Sequence, residues 1–227
     1  MEIMLDKITK GNIEELLDNA TKKIIDSKLE EDIYLVLIGF SSIIVRNDLK
    51  PDKLRETTYD IDIMVAPRFA GIDNLLYEYG FSVVNKTVPI LSPDYVDRLE
   101  KIKEAGVVHI FSLGTYDIAT SKIGRGNQKD LDDIFSSGIV QNLNIDKLET
   151  LYKNAIVNRL VLGLDSLYEQ NWDNFIKMYK NFQNIETREQ KTAITPEPKT
   201  PKPDAFAQDL HDRQNKHKPE IKRKFGR

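Results

Sequence analysis

The chain has 227 residues, of which 40% are hydrophobic and 30% charged, so it can bury one sizeable core. The 33 Lys and Arg residues face 36 Asp and Glu residues, a balance that excludes a uniformly basic nucleic-acid-binding protein. The absence of cysteine excludes a disulfide scaffold and a thiolate metal site, and with only three histidines any metal ion is expected to take carboxylate ligands, which favours Mg²⁺ or Mn²⁺.

The start of the chain does not have the pattern of a targeting segment. It carries the acidic residue Glu2 and lacks the apolar run of a signal peptide. The longest apolar stretch, residues 34–40, is too short to cross a bilayer. We therefore predict a cytoplasmic protein with no membrane partner.

Apolar residues recur at helical spacing between Ile13 and Ile25 and predict an amphipathic first helix. Residues 34–39 predict a buried strand, and residues 61–65 predict a second strand that ends before Pro67. Further along the chain we predict a helix at 72–79, strands at 81–84 and 107–111, and short helices at 116–123 and 129–136 that are separated by Gly124, Arg125 and Gly126. This order predicts an α/β sheet with appended helices.

The composition changes near residue 185. An apolar stripe at helical spacing predicts a helical lobe at 146–185, after an α/β domain at 1–145. Residues 186–227 hold few large apolar residues and many of the prolines, so we predict a mostly disordered tail with a short helix at 205–214. Its last residues, 216–227, form a basic cluster that is typical of a solubilising tail.

Two carboxylates lie close together in the second predicted strand. Side chains at i and i+2 of a strand point the same way, so Asp60 and Asp62 share one face while Ile61 and Ile63 face the core. Carboxylates so placed repel each other, and a proton or a cation between them relieves the repulsion. From this pair alone, a divalent-metal site and two ordinary solvent-facing residues both remain open.

A glycine turn follows the first predicted strand, at Gly39. Ser41 and Ser42 come directly after it and can cap a helix or offer donors to a phosphate group. Ordinary turn chemistry is the simpler explanation of this feature by itself. Further along, Asn127 and Asp130 fit a helix N-cap with an acidic third residue, and Lys122 by itself is typical of a solvated charge.

Together, the Leu-Ile-Gly-Phe-Ser-Ser turn at 37–42 and the Asp-Ile-Asp strand at 60–62 resemble the nucleotidyltransferase superfamily with the DNA polymerase β-like fold. The stretch at 91–99 and the Lys-x-x-Arg and Lys-Asp-x-x-Asp pattern at 122–133 are similar to a bacterial branch of uncharacterised nucleotidyltransferases, related to AbiEii-like toxins of abortive-infection and toxin–antitoxin systems. The resemblance covers residues 30–140. It implies a mixed sheet flanked by helices.

The resemblance also implies roles for individual residues. Asp60 and Asp62 would bind Mg²⁺ or Mn²⁺, and Gly39 with Ser41 or Ser42 would form the phosphate-binding turn of an NTP site. Lys122 would contact the nucleotide phosphates, and Asp130 would act as a later carboxylate, either a base or a further metal contact. Replacing Lys122 is then expected to impair transfer with little loss of stability.

The implied activity is transfer of a nucleoside monophosphate from an NTP to a hydroxyl group of RNA, a protein or a small molecule. An antitoxin is a further partner that the resemblance suggests. The main alternative is a catalytically silent module that binds a protein partner or nucleic acid, which is favoured by Phe40, since the family has a second small residue there. A weaker alternative is an Asp-x-Asp glycosyltransferase, although such an enzyme would need a larger acceptor domain.

Overall fold

The computed structural model describes residues 8–28, 30–49, 57–58, 60–157 and 164–193. The strands in chain order are β1 (Ile8–Thr9), β2 (Ile33–Leu37), β3 (Thr57–Thr58), β4 (Ile61–Ala66), β5 (Phe81–Val83), β6 (Glu100–Ala105) and β7 (Val108–Ser112). The α-helices are α1 (Lys10–Asp26), α2 (Ser41–Ile44), α3 (Ile72–Glu78), α4 (Thr115–Arg125), α5 (Gln128–Ser136), α6 (Ile145–Val157) and α7 (Asp165–Ala193), and 3₁₀ turns lie at Tyr95–Arg98 and Val140–Asn142.

Five strands form one mixed sheet in the order β5-β4-β2-β7-β6. The central strand β2 pairs antiparallel with β4 and parallel with β7. Strand β5 lies parallel to β4, and β6 lies antiparallel to β7, while β1 and β3 form a separate antiparallel pair. The predicted α/β class, with a mixed sheet flanked by helices, is confirmed.

One face of the sheet packs against helix α1 and forms part of the hydrophobic core. Ile61 and Ile63 of β4 are fully buried and belong to the same cluster as Leu35 of β2 and the apolar stripe of α1, which includes Ile13 and Leu17. Burying a side chain of this size is worth about 1.5–3 kcal/mol. Because side chains alternate along a strand, this burial turns Asp62 to the opposite face of the sheet.

Helix α4 ends at Arg125, two residues beyond the end that its glycines predict. Gly124 lies inside the helix, where Ile90 packs so closely that an added Cβ would collide with it. Gly126 caps the end of the helix with a left-handed φ of 65°, and Asn171 lies so close that no Cβ could be added there either. Asn171 is buried and donates a hydrogen bond from Nδ2 to the carbonyl of Gly124 at 3.0 Å, so α7 docks on the end of α4.

The chain divides into a unit of residues 1–180 and a second unit of residues 181–227. Helix α7 continues to Ala193, past the boundary predicted at residue 185. The rest of the predicted tail, with its short helix at 205–214 and its basic cluster at 216–227, lies outside the described residues. In the described part of the chain, no helix has the length and apolar character that crossing a membrane requires.

Candidate active site

A cavity of about 130 Å³ opens where the end of β2, the start of β4 and the junction of α4 with α5 meet. Its lining residues are Gly39, Phe40, Asp60, Asp62, Lys122, Arg125, Asn127, Lys129, Asp130 and Asp133. Five of the predicted site residues are therefore brought together, although the first and last of them, Gly39 and Asp130, are 91 positions apart in the chain.

Asp60 and Asp62 lie side by side on this cavity. Asp60 immediately precedes β4 and is exposed, whereas Asp62 lies within the strand and is half-buried. Burial is the main effect that raises the pKa of the Asp62 carboxyl, the nearby charge of Asp60 raises that pKa further, and Arg125 acts in the opposite direction. Thr58 donates a hydrogen bond from its hydroxyl to Oδ1 of Asp60 at 3.1 Å. The pair is thus a partly desolvated anionic centre.

The turn at Gly39 requires glycine. Its φ of 64° is left-handed, and a Cβ added there would lie 3.3 Å from Oδ2 of Asp62. A side chain at this position would therefore strain the backbone and crowd the carboxylate. The absence of a side chain leaves the backbone of the turn open to a ligand bound at Asp62.

The two serines after the turn do not line the cavity. Ser41 donates its hydroxyl to the carbonyl of Ile38, and Ser42 donates its hydroxyl to the carbonyl of Gly39, each at 2.7 Å. Both residues are buried in the short helix α2. Their hydroxyls hold the turn together, whereas the sequence predicts that one of them contacts a phosphate group.

Phe40 lies beside Lys122, with the Lys122 ammonium 5.8 Å from the centre of the ring. The ring is half-buried and also packs against the hydrophobic core. An ammonium near the face of an aromatic ring is attracted to its π electrons. Phe40 therefore forms an apolar wall between the glycine turn and the charged end of α4.

Lys122 is buried, whereas its sequence context by itself is typical of a solvated charge. Its side chain is 2% exposed, and its ammonium donates to Oδ1 of Asp130 at 2.9 Å and to Oδ2 of Asp133 at 2.8 Å. A lysine ammonium has three donors, so these two bonds use most of its capacity. Two carboxylates therefore already neutralise the ammonium, and a phosphate would have to share it with them.

Asp130 accepts hydrogen bonds from three side chains. Besides Lys122, it accepts bonds from Arg125 Nη2 at 2.7 Å and from Asn127 Nδ2 at 2.6 Å. The side chain of Asn127 also caps α5 by accepting from the backbone N–H of Asp130 at 2.8 Å, as the spacing predicts. Asp130 thus anchors the charged end of α4 to the start of α5, and nothing in these bonds marks it as a free base.

Two further cations, Arg125 and Lys129, line the same cavity as Asp60 and Asp62. The guanidinium of Arg125 is 39% exposed, and Lys129 is exposed at the start of α5. Sequence reasoning did not select Arg125 or Asp133 as site residues, although the three-residue spacing from Lys122 to Arg125 and from Asp130 to Asp133 places each pair on one helix face. The arrangement suits an anionic ligand that lies between a carboxylate pair and two cations.

A known protein family matches the part of the chain that contains every residue lining this cavity. Residues 14–186 match the model of a family described as nucleotidyltransferases of unknown function (DUF6036), which is more than half of the chain. The chain belongs to this nucleotidyltransferase family. The nucleotidyltransferase resemblance is thereby confirmed, while the link to AbiEii-like toxins stays a prediction. Neither the search of curated proteins nor the search of solved structures finds a match.

At this cavity the described residues offer a metal ion few protein ligands. Among the residues that the structure describes, no three His, Asp or Glu side chains are grouped so that they could hold a metal ion together. Mg²⁺ usually keeps several waters and is bound through one or two carboxylates plus substrate phosphates. Two neighbouring carboxylates in a nucleotidyltransferase therefore match what this ion needs when a nucleotide supplies the other oxygens.

Proposed function

We propose that this nucleotidyltransferase transfers a nucleoside monophosphate from an NTP to an acceptor hydroxyl, with Mg²⁺ or Mn²⁺ bound at Asp60 and Asp62. The observation that carries the proposal is the position of these two carboxylates on one cavity that Arg125 also lines, close enough for its charge to act on Asp62. A triphosphate needs both cationic contacts and a divalent ion, and this cavity offers the residues for each.

The carboxylate pair fits a divalent cation for an electrostatic reason. Asp62 is half-buried, and the charge of Asp60 raises the pKa of its carboxyl, so ionising both groups together is unfavourable without a cation. Carboxylate oxygens are the ligands that Mg²⁺ and Mn²⁺ prefer. When bound, such an ion neutralises phosphate charge and lowers the pKa of an attacking hydroxyl.

The other residues of the cavity would orient the nucleotide. Arg125 and Lys129 are placed to bind phosphate oxygens, and the backbone at Gly39 is open to the same ligand. Lys122 and Asp130 act here as positioning residues, because Lys122 holds Asp130, and Asp130 in turn holds the guanidinium of Arg125. Transition-state charge would then be met by Arg125 rather than by Lys122.

The acceptor and the biological role are extensions of this proposal. We propose RNA, a protein side chain or a small molecule as the source of the hydroxyl, and a toxin–antitoxin or abortive-infection system in the cytoplasm as the setting. The competing proposal is a silent module that binds a protein partner or nucleic acid. Phe40 favours that alternative, since its ring occupies space beside the turn that a small residue would leave open.

Ligand-induced stabilisation tests the metal and nucleotide site without knowledge of the acceptor. An NTP with Mg²⁺ at 100 times its Kd is expected to raise the free energy of unfolding of the wild type by about 2.7 kcal/mol. The Asp60→Asn/Asp62→Asn variant should fold and show no such gain, because it lacks the charges that hold the ion. Thermal melts with and without EDTA measure both proteins.

The matched control for this measurement is Asp26→Asn, which removes an exposed carboxylate at the end of α1. We expect it to be stabilised by the nucleotide as much as the wild type. Equal stabilisation of the double variant and the wild type would rule out a metal–nucleotide site at Asp60 and Asp62.

A further inference from the structure

A second cavity, of about 260 Å³, lies on the same face of the sheet as Asp62. It is lined by Met64 and Ala66 of β4 and by Tyr34 and Val36 of β2. Tyr34 pairs with Ala66, and Val36 pairs with Met64. Because side chains alternate along β4, Met64 follows Asp62 on this face at a spacing of about 7 Å. The cavity therefore continues the surface on which the candidate active site lies.

Aromatic rings line up along this face beside the cavity. Tyr34 is 42% exposed and stacks on His109, with ring centres 5.1 Å apart and planes inclined by 17°. Phe111 lies two residues after His109 on β7, and its ring centre is 6.4 Å from that of Tyr34. Such rings offer a flat surface on which a planar group such as a nucleobase can stack.

The charge at the rim of the cavity is positive. Arg68 and Lys86 line it, and none of the described residues that line it carries a carboxylate. Arg68 is partly engaged, since it ion-pairs with Asp73 at 3.9 Å, and both side chains are about half exposed. Lys86 is exposed. A cavity with a flat apolar wall and a cationic rim is complementary to a planar aromatic ligand that bears an anionic group.

The size of the cavity limits the ligand. Pockets that bury drug-sized molecules begin at about 300 Å³, and this cavity is slightly smaller than that. One nucleoside fits this volume, whereas several stacked nucleotides do not. Asn85 lies at the rim, and its amide can both donate and accept hydrogen bonds at the edge of a base.

We propose that this second cavity binds one nucleotide unit, with the base against Tyr34 and a phosphate group near Arg68 and Lys86. The inference rests on the proposed function, because the position beside Asp62 makes the bound unit a part of the reacting complex. The same chemistry has two sources, namely the base of the donor NTP or the terminal nucleotide of an RNA acceptor. Both present a planar base with phosphate attached.

Nucleoside monophosphates in EDTA test the cavity without the metal site. Calorimetric titration of the whole protein with AMP, GMP, CMP and UMP is expected to show saturable binding of at least one of them. Tyr34→Ala and Lys86→Glu should each weaken that binding at least tenfold, since one removes the stacking surface and the other reverses a rim charge. Lys22→Glu, an exposed position on α1 on the opposite face of the sheet, should bind as the wild type does.

The Asp60→Asn/Asp62→Asn variant separates this inference from the proposed function. It should still bind the monophosphate in EDTA, even if the metal-dependent activity fails for other reasons. Binding lost in that variant and retained in both Tyr34→Ala and Lys86→Glu would place the monophosphate at the first cavity and overturn the inference. Absence of binding for all four monophosphates would overturn it as well.

A second pair of titrations identifies the source of the nucleotide. One uses an NTP with Mg²⁺, and the other uses a single-stranded RNA tetranucleotide in EDTA. A weaker NTP affinity in Tyr34→Ala would assign the cavity to the donor base. Weaker affinity for the RNA alone would assign it to the acceptor, and unchanged affinity for both would contradict the inference.

Discussion

Replacing Lys122 with methionine is expected to lower the free energy of unfolding by about 3–5 kcal/mol. The side chain is 2% exposed, and its ammonium lies 2.9 Å from Asp130 and 2.8 Å from Asp133, which are themselves almost fully buried. Methionine keeps the length of the side chain and removes the charge. The two carboxylates would then lose this ammonium in a poorly solvated site, while Asp130 keeps its bonds from Arg125 and Asn127.

Urea unfolding of the two proteins, followed by circular dichroism, measures this loss. Lys22→Met is the matched control, because Lys22 is exposed on α1, and surface substitutions usually change stability by less than about 0.5 kcal/mol. Adding Asp130→Asn and Asp133→Asn to Lys122→Met should recover part of the lost stability, since the buried charges that the ammonium neutralised disappear. A Lys122→Met variant as stable as the control would show that the ammonium is solvated and that the network contributes nothing.

Replacing Asp62 with asparagine is expected to reduce the rate of nucleotide transfer by about 10³-fold, or about 4 kcal/mol in the barrier. The substitution keeps the size of the side chain and removes one of the two charges proposed to hold the metal ion. The fold should survive, because the pKa of the Asp62 carboxyl is raised by burial, and a neutral amide there relieves the repulsion from Asp60. Transfer of label from NTP to total cell RNA and lysate measures the rate.

Asp26→Asn, far from the cavity on the opposite face of the sheet, is expected to transfer label as the wild type does. If Asp62→Asn retained more than about a tenth of the wild-type rate, the carboxylate would not be a metal ligand in the transition state. Thermal melts of both variants establish that any loss of activity is not a loss of folding.

Local patterns in the sequence were sufficient to predict which face of the strand carries Asp60 and Asp62 and how helix α5 begins. The alternation of Asp60, Ile61, Asp62 and Ile63 fixes which side chains face the core, because a strand has a period of two residues. The cap at Asn127 is equally local, since donor and acceptor lie three residues apart. Such features depend on neighbours in the chain and therefore can be read without the fold.

The burial of Lys122 depends on tertiary packing and could not be predicted in this way. The residue lies in an ordinary amphipathic helix, and its partners Asp130 and Asp133 belong to the following helix. The sequence spacing of Lys122 is that of a surface residue. Its burial becomes visible only when α4 packs against α5. This difference changes the expected effect of its replacement from loss of activity alone to loss of stability.

Strand β6 was not predicted, and the reason lies in its composition. Its sequence, Glu-Lys-Ile-Lys-Glu-Ala at 100–105, is mostly charged and exposed, as is usual for a strand at the edge of a sheet. Ile102 alone packs against the hydrophobic cluster. Pairing with β7, rather than hydrophobic burial, holds this strand in place. A periodicity argument based on apolar residues has little to detect in such a segment.

Incubation of the whole protein with NTPs that carry label at either the α- or the γ-phosphate tests the proposed activity most directly. Each NTP is added with Mg²⁺ to total cell lysate, with EDTA as the parallel control. We expect the α-label to become attached to an acceptor and the γ-label to leave as pyrophosphate, both only with the divalent ion and not with Asp60→Asn/Asp62→Asn. Attachment of the γ-label, or attachment of neither label to any RNA, protein or small molecule in the lysate, would contradict a nucleotidyl transfer at this site.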